Sequence, residues 1–209
     1  MNPDRLEKYK KKRDFNKTLE PQDEEIDFNW AREGPVFVIQ KHNASNLHYD
    51  FRIEVDGVLK SWAVPKGPST DPSVKRLAVP TEDHPLAYAD FEGVIPEGEY
   101  GGGTILVWDR GTYRNLKEDQ DESGGASSLA EQLEDGHATI WLEGEKLRGG
   151  YALIRTGKGN KARWLLIKKD DEGADARRNP TSTEPRSVKT GRTLDEIRKE
   201  EAENQELDG

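Results

Sequence analysis

Residues 40–52 have the sequence Gln-Lys-His-Asn-Ala-Ser-Asn-Leu-His-Tyr-Asp-Phe-Arg. Side chains alternate between the two faces of an extended strand. Tyr49 and Phe51 would therefore lie on one apolar face, which Ile53 and Val55 continue. The other face would carry polar side chains at two-residue intervals, which are those of His48, Asp50, Arg52 and Glu54. The stretch predicts a strand that packs one face into a core and presents reactive groups on the other.

The polar face of this strand carries groups that suit a metal ion and a phosphate. Imidazole nitrogens and a carboxylate are common metal ligands, and His42 can join His48 and Asp50 if the loop between the histidines folds back. Arg52 offers a planar, two-donor clamp for an anion. The spacing alone does not separate a metal site from a hydrogen-bonded His–Asp cluster, so both interpretations stay open at this point.

The composition limits the class of protein. The 209 residues have room for one domain with tails. A hydrophobic content of 32% with 35% charged residues approaches that of disordered chains, but all five tryptophans lie between Trp30 and Trp164, which places a core in the middle of the chain. The absence of cysteine excludes disulfides, thiolate zinc sites and cysteine nucleophiles. Nothing resembles a signal peptide or a membrane span, which predicts a cytoplasmic protein without membrane contact.

The charge distribution is uneven. A net charge of −9 lowers the expectation of nucleic-acid binding, because nucleic-acid binders usually carry a basic footprint. Residues 146–169, however, contain eight Lys and Arg residues and no acid. We predict that this basic stretch docks a nucleic-acid backbone through Lys158, Lys161 and Arg163. The alternative is a solvated, exposed hairpin.

Many short strands predict a mainly β fold, a small antiparallel β-barrel with one or two short helices and polar terminal extensions. Asp56-Gly57 predicts a two-residue hairpin. Ser128 and Glu131 form a capping box for a helix that ends at Gly136, and a helix is also predicted over residues 2–12. The predicted strands cover residues 36–42, 48–55, 58–64, 75–79, 104–109, 112–116, 138–143, 151–156 and 163–168.

The chain divides into three parts in this prediction. Residues 1–34 are an N-terminal arm, residues 35–169 the barrel domain, and residues 170–209 a polar, flexible tail with a candidate final helix from Thr193. Tyr100-Gly-Gly-Gly-Thr104 is interpreted as a tight turn, because no Gly-Lys-Ser/Thr follows to make a phosphate-binding loop.

Several longer motifs are more specific than any spacing. They are Gln40-Lys-His-x5-His-Tyr-Asp-Phe-Arg52, Ser61-Trp-Ala-Val-Pro-Lys-Gly67, Glu82-Asp-His-Pro-Leu-x-Tyr88, Phe91-Glu-Gly-x-Ile-Pro-Glu-Gly-x-Tyr-Gly-Gly-Gly103 and Trp108-Asp-x-Gly-Thr-Tyr113. Over about residues 13–168, and again at Gly191-Arg-Thr-Leu194, the chain resembles the 3′-phosphoesterase module of bacterial DNA ligase D and its free-standing relatives. No segment resembles a polymerase or ligase module, so a stand-alone enzyme and an excised module are the two expectations. The initial Met1 favours the former, although an amino-terminal module would start the same way.

The resemblance implies an enzyme of non-homologous end joining that depends on Mn²⁺ or another divalent transition metal. Its substrate would be a primer–template with a 3′ ribonucleotide or a 3′-phosphate. It would remove the terminal ribonucleoside as a phosphodiesterase and then the remaining 3′-phosphate as a phosphomonoesterase, leaving a 3′-OH. The expected partners are the end-joining ligase, the polymerase and Ku, and the protein itself is expected to be a monomer.

The resemblance also assigns roles to residues by motif match. His42, His48 and Asp50 would hold the metal, while Arg52 and His84 would contact the scissile phosphate. His84 would either stabilise a developing oxyanion or protonate the leaving oxygen. Supporting roles fall to Gln40, Lys66, Arg76, Glu82 and Tyr88. The N-terminal match over Arg13-Asp-Phe15 and Thr18-Leu-Glu-Pro21 adds Arg13, Asp14 and Glu20.

Two other functions remain open from sequence. His48-x-Asp50 with the distant His84 imitates the facial triad of non-haem iron oxygenases, which are also built on β frameworks. Arg52 directly beside that triad fits phosphate better. A non-catalytic barrel could instead bind nucleic acid through the basic stretch, but that function leaves the His/Asp/Arg face without a role.

Overall fold

The computed structural model describes residues 5–22, 28–31, 34–117, 127–157 and 162–207. In these ranges nine strands form one antiparallel sheet, which comprises β1 (Val36–Asn43), β2 (Leu47–Val55), β3 (Val58–Val64), β4 (Lys75–Pro80), β5 (Gly93–Ile95), β6 (Gly103–Asn115), β7 (His137–Gly144), β8 (Arg148–Thr156) and β9 (Arg163–Lys168). Eight strands close into a barrel in the order β1-β2-β3-β4-β9-β8-β7-β6, because β6 also pairs with β1. The predicted small antiparallel barrel is confirmed.

The helices are few and short. They are α1 (Glu7–Lys11), a 3₁₀ turn (Leu86–Asp90), α2 (Leu129–Asp135), α3 (Pro180–Thr183) and α4 (Leu194–Leu207). The predicted capping box of α2 is present, and Gly136 ends the helix in the left-handed conformation at φ +85°. The first predicted helix, over residues 2–12, is shorter than expected, and its residues 2–4 lie outside the described ranges. None of the described helices is long and apolar enough to cross a membrane.

The hairpin between β2 and β3 turns at Asp56 and Gly57, as predicted. Both residues have positive φ, +50° and +80°, which is the conformation of the two-residue turns that match strand twist. The predicted break at residues 110 and 111 is wrong, since β6 runs through it without interruption. Gly111 pairs with Gly144 of β7, and a Cβ at this position would overlap the carbonyl oxygen of Glu143. This glycine therefore allows close strand approach and is not a turn.

Two apolar clusters lie on opposite faces of the barrel wall. All eight barrel strands contribute to the first cluster, which fills the lumen with side chains such as Phe37, Phe51 and Trp108. The second cluster joins the outward-facing Val36 and Val38 of β1 to residues of α1 and the 3₁₀ turn. Gln40 and His42 continue the outward face of Val38. The polar residues of β1 and β2 therefore lie outside the barrel lumen, beneath the N-terminal arm.

Residues 170–207 pack on the barrel. Trp108 Nε1 donates to the carbonyl of Glu184 at 2.7 Å, and the backbone N–H of Val188 donates to the carbonyl of Val107 at 2.9 Å. Ile197 of α4 is buried against the lumen cluster. Residues 170–192 are mainly loop, as their composition indicates. The flexibility of this segment and the division of the chain at residues 34 and 169 stay predictions.

Candidate active site

The β1–β2 hairpin brings the three candidate metal ligands together. His42 is directly opposite His48 in the register, and Gln40 is opposite Asp50. One ligand atom from each of His42, His48 and Asp50 lies within 4.8 Å of the others. The Nδ1 atom of His42 is 3.4 Å and the Nε2 atom of His48 is 3.7 Å from the carboxylate of Asp50. The loop between the two histidines folds back because it is the short connection between the paired strands β1 and β2.

Hydrogen bonds behind the two imidazoles orient their free nitrogens. His42 Nε2 lies 2.9 Å from the carbonyl of Gly101, and His48 Nδ1 lies 2.9 Å from the carbonyl of Asn46. A carbonyl oxygen only accepts, so these contacts place the ring protons on Nε2 of His42 and Nδ1 of His48. The other nitrogens then present lone pairs toward the carboxylate of Asp50. Two nitrogen lone pairs that face a carboxylate suit a cation bound between them. The two backbone carbonyls then orient the histidine rings through the opposite ring nitrogens, as is common for histidine ligands of metals.

Asp50 is ionised in this environment. Burial by itself would raise the pKa of its carboxyl, but the Arg52 guanidinium lowers that pKa well below its usual value. Arg52 Nη2 is 3.2 Å from Asp50 Oδ2. Two imidazoles and an ionised carboxylate form a donor set for Mn²⁺, Zn²⁺ or a related divalent ion. The group could therefore hold a metal.

Gln40 fixes the orientation of Arg52. The amide nitrogen of Gln40 donates to the carbonyls of Tyr88 and Phe91, both at 2.9 Å. Its oxygen must then face the other way, where it accepts from Arg52 Nε at 2.8 Å. The guanidinium also lies 4.8 Å from the centroid of the Tyr88 ring. Arg52 is thus held in place beside the metal ligands by a buried amide and an aromatic ring.

His84 lies between two guanidinium groups. Its Nδ1 is 3.0 Å from Arg52 Nη1 and 2.9 Å from the carbonyl of Glu82, while its Nε2 is 3.3 Å from Arg13 Nη2. Burial lowers the pKa of His84 well below its usual value, and the positive charges of Arg52 and Arg13 lower it further. His84 is consequently neutral at neutral pH.

The N-terminal arm supplies part of this cluster. Arg13 donates to Glu20 at 2.8 Å and to Glu82 at 3.1 Å, and its guanidinium stacks 3.8 Å from the ring centroid of Tyr9. Tyr88 donates to the same Glu20 oxygen at 2.8 Å. The structure thus places Arg13 and Glu20, which the N-terminal motif match named as candidates, in this cluster.

A cavity of about 260 Å³ opens over these groups. Gln40 and Glu20 lie behind its wall, in contact with Arg52 and Arg13. The candidate residues that line it are Arg13, His42, His48, Asp50, Arg52, Glu82, His84 and Tyr88.

Three candidates are not brought to the cavity. Asp14 pairs with Lys17 on the exposed side of the arm. Lys66 is exposed just beyond the end of β3. Arg76 lies on β4 opposite Leu166, and its Nε is buried with no hydrogen-bond partner among the described residues.

The basic stretch is partly engaged within the protein. Lys146 donates to the carbonyls of Glu184 and Arg186, Arg148 pairs with Glu143, and the buried Lys168 pairs with Asp171. Arg163 is exposed on β9. Lys158 and Lys161 lie outside the described residues, so their predicted role stays a prediction.

The sequence analysis missed Lys12 and Tyr100. Both contact Glu82, at 3.0 Å from Lys12 Nζ and 3.3 Å from the Tyr100 hydroxyl, and Tyr100 lines the cavity. Tyr100 lies immediately before three glycines in one of the motifs that carry the family resemblance. That position was the signal that could have identified it as a candidate site residue. The predicted tight turn is present there, with Gly98 at φ +90° and Gly101 at φ +79°.

Comparison with known proteins agrees with this geometry. The family model of the DNA Ligase D 3′-phosphoesterase domain matches residues 40–155. The multifunctional non-homologous end joining protein LigD of Pseudomonas aeruginosa is 48% identical over 196 residues, which cover 90% of this chain and 22% of that protein. LigD of Mycobacterium tuberculosis is 47% identical over 166 residues, covering 78% of this chain and 19% of its own length. The chain thus spans about a fifth of these relatives, and it belongs to the DNA ligase D 3′-phosphoesterase domain family.

Proposed function

We propose that this chain is a metal-dependent phosphoesterase that heals 3′ ends for non-homologous end joining. It removes a 3′-terminal ribonucleoside from a primer–template and then hydrolyses the remaining 3′-phosphate to a 3′-OH. The observation that carries this proposal is the position of Arg52, 3.2 Å from Asp50 in the His42–His48–Asp50 group. A guanidinium beside a metal-ligand set suits a phosphoryl group, because the guanidinium and the metal ion can each contact one of its oxygens.

The metal would be held by His42 Nδ1, His48 Nε2 and the carboxylate of Asp50, and Mn²⁺ is the ion we propose. When bound, it supplies Lewis-acid polarisation of a phosphoryl oxygen. Arg52 neutralises charge on the same phosphoryl group, and Gln40 holds it at the required angle. Arg13 adds a second positive charge from the arm, which Glu20 and Glu82 keep in place.

His84 acts as a neutral hydrogen-bonding group in this proposal. Two flanking guanidiniums disfavour the imidazolium form, so His84 does not enter the reaction as a positively charged general acid. Its contact with Arg52 instead orients the guanidinium toward the phosphate. This favours stabilisation of charge over proton donation, the two roles that the sequence left open.

The geometry argues against the oxygenase alternative. A facial triad of His48, Asp50 and His84 would need all three side chains around one ion. Arg52 lies between Asp50 and His84, in contact with both, and would place a positive charge where the iron should be. The non-catalytic alternative still gives no role to the cluster.

We propose that the partners of the chain are the end-joining ligase, the polymerase and Ku, because its relatives are multifunctional non-homologous end joining proteins.

The test is phosphate release from a primer–template with a 3′-phosphate, and nucleoside release from one with a single 3′ ribonucleotide. We expect Mn²⁺-dependent release of both products, loss of activity with EDTA, and loss in His42→Ala, His48→Ala and Asp50→Ala. His137→Ala, which removes an exposed histidine on β7, is the matched control and should retain activity. Absence of release from both substrates with every divalent metal would refute the proposal.

A further inference from the structure

An exposed aromatic side chain lines the cavity. Five large hydrophobic residues are exposed among the described residues, and of these five Tyr100 lines the cavity. Tyr100 stands in residues 98–103, which we call the glycine-rich loop. An aromatic ring exposed beside a phosphate site can serve as a platform on which a nucleobase stacks.

The glycine-rich loop is attached to its neighbours on both sides of Tyr100. Lys17 of the arm pairs with Glu99 at 3.2 Å, which joins the arm to the loop. On the other side, His42 Nε2 lies 2.9 Å from the carbonyl of Gly101, which joins β1 to the loop. Tyr100 stands between these two attachments in sequence. The arm, β1 and the glycine-rich loop therefore meet at the cavity.

Tyr100 is held in one orientation although it is 45% exposed. Its hydroxyl lies 2.9 Å from Lys12 Nζ and 3.3 Å from Glu82, and Lys12 Nζ lies 4.2 Å from its ring centroid. Tight turns at residues 96–99 and 99–102 fix the backbone on both sides. An exposed ring that is already ordered loses little conformational entropy when a ligand stacks on it.

The size of the cavity indicates what reaches Tyr100. Pockets that enclose drug-sized ligands have about 300–1,000 Å³, and the cavity here has about 260 Å³. A phosphate bound at Arg52 and its sugar would occupy it, so the base joined to that sugar would emerge at the mouth. The charges of Lys12 and Lys17 are paired with Glu82 and Glu99, so the ring of Tyr100 is the exposed group there that suits contact with a base.

We propose that Tyr100 stacks against the nucleobase of the nucleotide whose phosphate is hydrolysed. This inference rests on the proposed function and specifies how that site recognises its substrate. Every base has an aromatic face, so stacking on Tyr100 gives affinity without sequence preference. The enzyme would therefore accept any terminal base but discriminate against a terminal sugar that lacks one.

The experiment compares 3′-phosphate primers that end in a normal nucleotide or in an abasic sugar. For the wild type we expect the abasic end to raise KM about tenfold, the effect of losing one stacking contact, with a smaller change in kcat. Tyr100→Ala should bring the two KM values together. Tyr100→Phe keeps the ring and should keep the difference. If Tyr100 acted only through its hydroxyl on Lys12 and Glu82, Phe and Ala would behave alike, and that result would overturn the proposal.

A second measurement does not need turnover. A primer with 2-aminopurine at its 3′ end, titrated with protein in EDTA, should show fluorescence quenching with the wild type and with Tyr100→Phe, but not with Tyr100→Ala. Leu207→Ala, which truncates a leucine that is 84% exposed at the end of α4, is the control and should quench as the wild type does. Equal KM values for both ends in the wild type, without quenching, would overturn the inference. Absent phosphate release with quenching retained would refute only the proposed function.

Discussion

The guanidinium of Arg52 is fixed on several sides before any substrate arrives. Gln40, His84 and Asp50 each contact a different nitrogen, at 2.8, 3.0 and 3.2 Å. The alternation of polar residues on β2 was sufficient to predict that Arg52 and Asp50 share a face. The contacts with Gln40 and His84 span 12 and 32 residues along the chain and have no periodic signature. Local sequence thus indicates the chemistry, while tertiary pairing supplies its orientation.

We expect Arg52→Lys to lose most activity. A lysine cannot contact Gln40, His84 and a phosphate together, because its ammonium is a single point charge on a flexible stem. Loss of one preorganised transition-state contact costs about 3 kcal/mol, or roughly a hundredfold in rate. The measurement is kcat/KM for phosphate release, with circular dichroism to verify folding. Arg114→Lys, the same change at an exposed position, is the control. Activity within about twofold of the wild type would show that Arg52 has no such contact.

Gln40→Glu tests the orientation of the amide that contacts Arg52. The amide nitrogen donates to two carbonyl oxygens, so a carboxylate oxygen in its place would face two acceptors without a hydrogen to donate. Leaving buried polar groups unsatisfied costs about 1–3 kcal/mol. We expect a lower melting temperature and reduced phosphate release. Gln22→Glu, at an exposed position, should change neither. A melting temperature equal to that of the wild type would contradict the assigned orientation of Gln40.

At the scale of elements, the accurate predictions rest on local signals. The hairpin at Asp56-Gly57 and the capping box of α2 are determined by residues within four positions of one another. The continuity of β6 was missed because a glycine inside a strand looks like a break in the sequence. Gly111 is needed because the backbone of β7 approaches it closely, and that neighbour lies more than thirty residues away. Close approach between distant strands leaves no local pattern.

Gly111→Ala should therefore destabilise the barrel strongly. The added methyl would overlap a backbone carbonyl of Glu143 within a paired strand, which cannot move aside as a flexible side chain could. Overpacking of this kind costs about 1–3 kcal/mol or more. Gly57→Ala is the control, because a Cβ there meets nothing within 4 Å and its cost is only the left-handed backbone, about 1–2 kcal/mol. Urea unfolding measures both, and a smaller loss for Gly111→Ala than for Gly57→Ala would contradict this account.

At the scale of the whole molecule, the core that stabilises the barrel and the candidate site lie on opposite faces of the barrel wall. The lumen is filled by the apolar faces of eight strands, and the candidate site lies on the outer face of β1 and β2. The N-terminal arm covers that outer face, which explains why Arg13 and Glu20 lie beside candidate metal ligands that come from the barrel. A filled lumen leaves no room for substrate inside the barrel. Substrate must therefore reach the site from the outside, past the arm and the glycine-rich loop.

The segment after residue 169 contacts the barrel, so its predicted flexibility can be tested through α4. Ile197 of α4 is 3% exposed and packs against the lumen cluster. Truncating a buried isoleucine to alanine typically costs about 2–5 kcal/mol, so Ile197→Ala should lower the free energy of unfolding by that order. Leu207→Ala removes a similar side chain from the exposed end of the same helix and should stay within about 0.5 kcal/mol of the wild type. Denaturant unfolding of both variants decides the matter: equal stabilities would mean that α4 is detached in solution and that the barrel closes without it.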